Sequence, residues 1–179
     1  MSAVVIDTNV LLVANGSHQF VSVPCRVECV TRLQARQKAG VVAIDDAFRI
    51  LKEYQQKTQP NQPKGVGDAF LKWLLQNVAN DRRVHRVSIT ETASDTFAEF
   101  PDAAFQPQFD APDRKFAAVA HAHPDKPPIW QAADSKWLKW WPQLDVHGVK
   151  VTFLCPADSR RFYASKFPKQ PVPDLPNGS

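Results

Sequence analysis

The chain has 179 residues, of which 44% are apolar and 22% are charged, and its formal net charge is +4. This composition is that of a soluble globular protein, and the length suits one domain with a sizeable hydrophobic core. No apolar segment approaches the length of a membrane span, so we expect no membrane contact. The positive charge suits a polyanionic partner.

Three cysteines bear on the compartment in which the protein works. They are Cys25, Cys29 and Cys155, an odd number without a further Cys or His pair at zinc-binding spacing. We therefore expect three reduced, mostly buried thiols, as in a cytoplasmic protein. The first residues lack the basic region of a signal peptide, and Asp7 interrupts their apolar run, which fits the same expectation.

The amino-terminal segment AVVIDTNVLLVANG is predicted to lie at the centre of the fold. Ala3–Ile6 is an apolar run without alternation, which is typical of a strand buried on both faces. Asp7, Thr8 and Asn9 follow directly, before a second apolar run at Val10–Val13. Ligands of open parallel sheets bind outside the carboxyl ends of the strands, which is where Asp7 is predicted to lie. The alternative is that Asp7 or Thr8 only caps the following helix.

Further along the chain, strand patterns alternate with helical ones. Strands are predicted at Val41–Ile44, Val84–Ile89, Ile129–Ala132 and Val149–Leu154. Helices are predicted at Pro24–Lys38, Asp46–Lys57, Asp68–Asn80 and Asp113–Ala122, with a short one around Ala93–Phe100. This alternation predicts a three-layer α/β/α fold with a central parallel sheet. If the fourth strand returns beside the first, the strand order is 3-2-1-4-5.

The fold is expected to occupy residues 1–167 as a single domain without internal repeats. Between Thr90 and Pro112 the pattern is less regular than elsewhere in the chain. Residues 168–179 contain four prolines, which predicts an extended or mobile tail that forms no packed element.

Four carboxylates are predicted to meet at the carboxyl edge of this sheet. Asp7 and Asp134 end neighbouring strands, while Glu53 and Asp113 come from flanking helices. Glu53 lies at the edge of an apolar helical stripe, so it can point over the sheet, although a solvated Glu is the alternative. Converging carboxylates without matching cations repel one another, which divalent cations relieve. Carboxylate ligands alone favour Mg²⁺ or Mn²⁺ over Zn²⁺.

Three other acids compete for these roles. Asp45 and Asp46 follow the second strand, and we interpret them as N-terminal caps of the next helix, with metal binding as the alternative. Asp110 lies close enough to Asp113 in the sequence to be the third acid in its place.

Basic and aromatic side chains offer contacts for a polyanion. The candidates for RNA binding are Lys115, Lys136, Arg82, Arg83 and Arg86. A solvated positive loop is the alternative for the three arginines. We interpret the tryptophans of the segment KWLKWW mainly as packing surface, with base stacking by one of them as the alternative.

Five blocks of this sequence resemble those of PIN-domain nucleases. They are VVIDTNVLL at the start, AIDDAFRILKEY around Glu53, DRKFAAVAHA with Asp113, AADSKW with Asp134, and HGVKVTFLCP as the last strand. Their order and spacing cover most of the chain up to about Pro156. The block around Glu53 is most similar to that of PIN proteins found as toxins of toxin–antitoxin pairs.

The resemblance implies a metal-dependent endoribonuclease that hydrolyses RNA with the help of Mg²⁺ or Mn²⁺. The acidic quartet that it implies, both catalytic and metal-binding, is Asp7, Glu53, Asp113 and Asp134. Asn9 and Ser135 fall where the family often has polar residues that support the site. The partners that it implies are RNA, an antitoxin protein and a second copy of the chain in a homodimer.

Two features depart from the family pattern. The segment between Gln59 and Pro112 is longer than a minimal PIN domain needs, and Ala132-Ala133 stands where the fourth motif usually has a Thr. Two other functions stay open: a structure-specific DNA nuclease with the same metal cluster, and a non-catalytic PIN-like RNA-binding module. The presence of all four quartet acids counts against the second.

Overall fold

The structure, a computed structural model, describes residues 2–177 as alternating strands and helices. The strands are β1 (Ala3–Ile6), β2 (Val41–Asp45), β3 (Val84–Val87), β4 (Glu91–Ala93), β5 (Thr96–Phe97), β6 (Ile129–Gln131) and β7 (Val151–Phe153). The α-helices are α1 (Thr8–Ala14), α2 (Val23–Ala39), α3 (Arg49–Lys57), α4 (Val66–Asn77), α5 (Arg114–Ala122), α6 (Trp137–Val146) and α7 (Pro156–Lys166). In the described part of the chain, no helix is both long and apolar enough to cross a membrane.

Five strands form one parallel sheet in the order β3-β2-β1-β6-β7. β1 lies at its centre, with Val4 opposite Val42 of β2 and Val5 opposite Ile129 of β6. The predicted α/β class, with a central parallel sheet flanked by helices, is confirmed. The predicted numbering 3-2-1-4-5 differs from the observed one, because two further strands, β4 and β5, form between the third and fourth strands of the sheet.

The sheet is buried because its central strands are apolar on both faces. Every residue of β1 and of β2 is buried. Helices α1, α2 and α4 pack against one another, and α5 packs on β1 and β2 through its run of buried residues Lys115–Ala120. This packing fixes the position of Asp113, which directly precedes α5.

The segment around Ala93–Phe100, predicted as a short helix, is a β-hairpin. β4 and β5 pair antiparallel, with Glu91 opposite Phe97. Asp95 in the turn has a left-handed backbone (φ 49°), which Asp tolerates better than most residues do. The helix prediction was wrong because this turn lacks the Asn-Gly or Asp-Gly pair that usually indicates a hairpin.

The carboxyl-terminal part of the chain is more packed than its sequence predicts. α7 follows the last strand, in a segment for which the sequence analysis assigned no element, and Pro156 at its first position suits a helix start. Residues 171–176 form no helix or strand, as expected. Val172 and Leu175 nevertheless pack against the core, and Trp141 Nε1 donates a hydrogen bond to the carbonyl of Asp174 at 2.9 Å. The expectation of an unpacked tail is therefore wrong.

Two of the three cysteines are bonded to each other. Cys25 near the start of α2 and Cys155, which precedes α7, form a disulfide across a sequence separation of 130 residues. Cys29 is a free thiol whose Sγ lies 4.0 Å from that of Cys155, and burial raises its pKa to about 12. The expectation of three reduced thiols is wrong, because the fold brings the start of α7 beside α2, a long-range contact that residue spacing does not reveal.

Candidate active site

A cavity of about 360 Å³ lies where β1 and β6 end. It is lined by Asp7, Thr8, Asn9, Leu12, His18, Glu53, Lys57, Ala133, Asp134, Ser135 and Phe162. Three acids of the predicted quartet and both predicted supporting residues are thus brought together. A larger cavity of about 880 Å³ lies beside β3, is lined partly by His85 and His123, and contains none of the quartet.

Asp7 has one satisfied and one unsatisfied carboxylate oxygen. It caps α1, and its Oδ1 accepts a hydrogen bond from the backbone N–H of Asn9 at 2.8 Å. Its Oδ2 is buried and has no hydrogen-bond partner. Burial, followed by the charges of Asp113, Asp134 and Glu53, raises the pKa of Asp7 well above its ordinary value. Asp7 is therefore a helix cap, and its second oxygen is left without a partner.

Glu53 points towards this cavity, as the helical pattern predicts. The hydroxyl of Thr8 donates to one of its oxygens, and the ammonium of Lys115 donates to the other. Lys115 also donates to the carbonyl of Pro112, and its side chain is almost fully buried. Lys115 thus holds Glu53 in place from α5, which is a different role from the predicted surface contact with RNA.

Asp113 and Asp134 are electrostatic neighbours of Asp7. Burial and the charge of Asp134 raise the pKa of Asp113 to about 7. Lys136 donates to Asp110, and its Nζ lies 3.9 Å from an oxygen of Asp134. Asp113 acts on the pKa of Asp7, whereas Asp110 pairs with Lys136, so the geometry favours Asp113 as the third acid.

The four carboxylates share this region without forming a closed set of metal ligands. Within residues 2–177, no three of them bring one oxygen each within 4.8 Å of the others. Lys115 offsets the charge of Glu53, and Lys136 offsets part of that of Asp134. The expectation of acids without matching cations is therefore wrong for these two. Lys136 and Lys115 also lower the pKa of Asp113 in part, so among the described residues the quartet carboxylate without a nearby cation is that of Asp7.

Asn9 and Ser135 lie where supporting residues are predicted. Asn9 Oδ1 accepts a hydrogen bond from the backbone N–H of Ala132 at 2.9 Å, which joins the segment after β1 to the segment after β6. Ser135 is buried directly after Asp134. Asn9 therefore acts on the positions of both strand-end acids.

Asp45 is a helix cap, as its position after the second strand predicts. Its two carboxylate oxygens accept hydrogen bonds from the backbone N–H groups of Arg49 and Ile50, each at 2.9 Å. The helix begins at Arg49, three residues later than predicted, because Phe48 has a left-handed backbone (φ 61°). Asp46 lies exposed in the turn before it.

The predicted arginine cluster does not lie at the cavity. Arg82 and Arg83 precede β3, which places them at the amino edge of the parallel sheet, opposite the strand-end acids. Arg83 donates to the carbonyls of Arg36, Gln37 and Lys38 at the end of α2. Arg86 pairs with Asp81. These contacts are structural ones within the chain.

The tryptophans form packing surface, as interpreted from the sequence. Trp137 and Trp140 are buried around Phe109, with ring centroids 5.2 Å and 4.0 Å from that of Phe109. The aromatic side chains at the cavity are instead His18 and Phe162, which the sequence analysis did not single out. Among the cavity residues that were not predicted, Thr8 was identifiable from its place between Asp7 and Asn9, whereas His18, Lys57 and Phe162 carry no local signal.

Comparison with protein-family models, with curated proteins and with solved structures finds no match for this chain. The resemblance to PIN nucleases therefore stays a prediction from five short sequence blocks.

Proposed function

We propose that this protein is a metal-dependent endoribonuclease of the PIN type, which hydrolyses RNA phosphodiester bonds at the cavity around Asp7. The observation that carries the proposal is the buried Oδ2 of Asp7, which has no hydrogen-bond partner, on a carboxyl whose pKa is raised by burial and by the charges of Asp113, Asp134 and Glu53. A buried carboxylate oxygen without a partner is destabilising unless a cation or a proton satisfies it.

The residues present fit a divalent cation of the hard class. Asp7, Asp113, Asp134 and Glu53 supply carboxylate oxygens, which Mg²⁺ and Mn²⁺ prefer. When bound, such an ion lowers the pKa of a coordinated water and neutralises negative charge that develops on phosphoryl oxygens. Asp7 is the proposed central ligand because it is held by the most buried strand and by its own capping bond.

The remaining side chains of the cavity position these acids and the substrate. Thr8 and Lys115 each donate a hydrogen bond to one oxygen of Glu53. The carboxylate held in this position can orient a water molecule. Lys57 is exposed at the cavity and can contact a phosphate oxygen of the substrate. Lys136 lies beside Asp134 and offers a second positive charge to the phosphates of the RNA substrate.

The raised pKa values of two of the acids support the same interpretation of the site. The pKa of Asp113 is about 7, and that of Asp7 is raised well above its ordinary value, so both side chains hold protons to higher pH than ordinary aspartates. Ligand carboxylates must be ionised, so cation binding displaces those protons. Affinity for the cation should therefore increase with pH through this range.

The proposal extends to partners on the strength of the sequence resemblance. Without the four quartet acids the formal charge is +8, that is +4 plus four, which suits RNA as the polyanionic partner. The similarity of the block around Glu53 to toxin sequences supports a toxin of a toxin–antitoxin pair, with an antitoxin protein and a homodimer as its assemblies. We keep a cytoplasmic location as part of this proposal, although the disulfide between Cys25 and Cys155 removes the support that three reduced thiols would have given it.

Incubation with total cellular RNA, in Mn²⁺ or in EDTA and followed by mapping of the new ends, tests the proposal. Wild type should cut RNA in Mn²⁺ only, and Asp7→Asn should lose nearly all cleavage, because an amide is a poorer ligand for a hard cation. Flapped and branched DNA are included to separate a structure-specific DNA nuclease. Binding of RNA without any Mn²⁺-dependent cleavage would indicate the non-catalytic module.

A further inference from the structure

One side of the cavity is aromatic. His18 and Phe162 line it together with Asp7 and Asp134. Their rings stack with centroids 5.7 Å apart and an interplanar angle of 30°. His18 comes from the segment between α1 and α2, and Phe162 from α7, so two distant parts of the chain build this surface.

A network of polar contacts holds the aromatic pair in place. The guanidinium of Arg161 lies 4.5 Å from the ring centroid of Phe162 and donates to the carbonyl of Phe20 at 2.7 Å. Arg161 also donates to the buried Asp158 at 3.3 Å. Asp158 in turn accepts from the backbone N–H and the hydroxyl of Ser22, at 2.6 and 2.8 Å. The segment from His18 to Ser22 is thus fastened to α7.

Phe20 combines two unfavourable features. Its side chain is 80% exposed, which leaves a large apolar ring in water. Its backbone is left-handed (φ 70°), a conformation that is strained for a bulky residue. The ring is therefore open to a ligand, and the carbonyl of Phe20 accepts a hydrogen bond from Arg161, which lies over Phe162 of the cavity lining.

Cationic groups flank this aromatic segment. Arg26 packs against Gly16, where an added Cβ would lie 2.8 Å from the Arg26 Cζ atom. Arg161 holds the other end of the segment, and Lys57 lines the cavity itself. Aromatic rings interleaved with cations are the means by which proteins bind single-stranded nucleic acids, with bases on the rings and phosphates on the cations.

We propose that His18, Phe20 and Phe162 form a stacking wall for an unpaired nucleobase next to the phosphodiester held at the carboxylates. The inference rests on the proposed nuclease function and adds a specificity element to it. A base inside a duplex already has its faces stacked on its neighbours, so the wall requires a strand that is unpaired beside the cut. Because stacking uses the ring face of any base, the wall selects unpaired strands more than it selects sequence.

Binding is measured without cleavage, in EDTA, by fluorescence anisotropy of a short labelled single-stranded RNA. An oligomer of the same length with abasic residues is the matched ligand. Phe20→Leu keeps an apolar side chain but removes the ring, and it should weaken binding to the RNA about tenfold while leaving the abasic oligomer unaffected. Phe162→Leu should act in the same direction. Phe48→Leu is the control, because Phe48 is also exposed with a left-handed backbone but lies in the turn before α3, outside the segment that is bonded to Arg161.

Three results overturn the stacking wall: wild type that binds both oligomers equally or not at all, Phe20→Leu that weakens both equally, and Phe20→Leu that weakens neither. Phe20 makes little buried contact, so this variant should fold, and its melting curve checks this. The outcome is separable from that of the nuclease proposal. Base-dependent binding without Mn²⁺-dependent cleavage keeps the wall and removes the nuclease, whereas cleavage with no contribution from Phe20 removes the wall alone.

Discussion

Asn9 and Ala132 join the two strands that carry the central acids: Asn9 Oδ1 accepts a hydrogen bond from the backbone N–H of Ala132 at 2.9 Å. Asn9 stands two residues after Asp7, and Ala132 stands two residues before Asp134. One side-chain bond therefore holds the ends of β1 and β6 at a fixed distance, and with them the two carboxylates.

Replacing Asn9 by Ala should disturb the site more than the fold. The variant leaves the N–H of Ala132 without its partner, which should lower the free energy of unfolding by about 1–2 kcal/mol. RNA cleavage should fall further than this loss accounts for, because Asp134 is no longer held against Asp7. Denaturant unfolding and cleavage rates measure the two effects, and Asn61→Ala in an exposed loop is the control. If Asn9→Ala cleaves RNA at the wild-type rate, this bond does not organise the site.

Asp45 provides the opposite test, since it is an acid at the same sheet edge with a purely structural role. Asp45→Ala removes the acceptor for the N–H groups of Arg49 and Ile50, so it should lower the free energy of unfolding by about 1–2 kcal/mol. Cleavage by the folded variant should stay near that of wild type. Asp46→Ala, at the exposed neighbouring residue, is the control and should change neither the free energy of unfolding nor the cleavage rate. Loss of cleavage in fully folded Asp45→Ala would contradict the assignment.

The pKa of Asp113 predicts a pH-dependent stability. Its folded pKa is about 7, above the ordinary value of 3.8, so the ionised group destabilises the folded state. This destabilisation is absent at low pH, where the carboxyl is protonated in both the folded and the unfolded protein. It grows as the pH rises above the pKa of the unfolded protein and is complete above the pKa of the folded protein. Asp113→Asn should therefore gain stability over wild type between about pH 4 and about pH 8, by roughly 1–3 kcal/mol.

Denaturant unfolding in EDTA over that pH range measures the gain. Asp46→Asn is the control, because Asp46 is exposed in the turn after β2 and does not line the cavity around Asp7. A difference between Asp113→Asn and wild type that is the same at both ends of the range would argue against a raised folded pKa.

The disulfide between Cys25 and Cys155 should contribute strongly to stability, because it closes a loop over a sequence separation of 130 residues. Its reduction should lower the free energy of unfolding by about 2–5 kcal/mol. Unfolding with and without a dithiol reductant measures this effect. Cys29→Ala should keep the same dependence on reductant, and Cys25→Ser should abolish it. If the reductant has no effect on wild type, the cysteines are not bonded in solution.

The sequence predicts the α/β class and the position of Asp7 because both follow from local patterns. An apolar run without alternation indicates a strand buried on both faces, and the residue after such a strand lies at the carboxyl edge of the sheet. The same reasoning places Asp134 after β6 and makes Asp45 a helix cap.

Other features depend on contacts between distant segments. Lys115 is one residue of an apolar helix in the sequence, and only the packing of α5 beside α3 shows that it holds Glu53. The pairing of Cys25 with Cys155 and the stacking of His18 on Phe162 likewise require the folded positions of α2 and α7. Such partners lie too far apart in the chain for residue spacing to indicate them.

A divalent cation at Asp7 is tested most directly by thermal unfolding of wild type and of Asp7→Asn, each in EDTA and in Mn²⁺. In EDTA at neutral pH, the variant should melt higher than wild type, because it lacks the buried carboxyl whose pKa is raised. Mn²⁺ should then raise the Tm of wild type and reverse the ranking, since a ligand bound only to the folded state stabilises it. If Mn²⁺ shifts neither Tm, or shifts both by the same amount, Asp7 does not hold a metal ion.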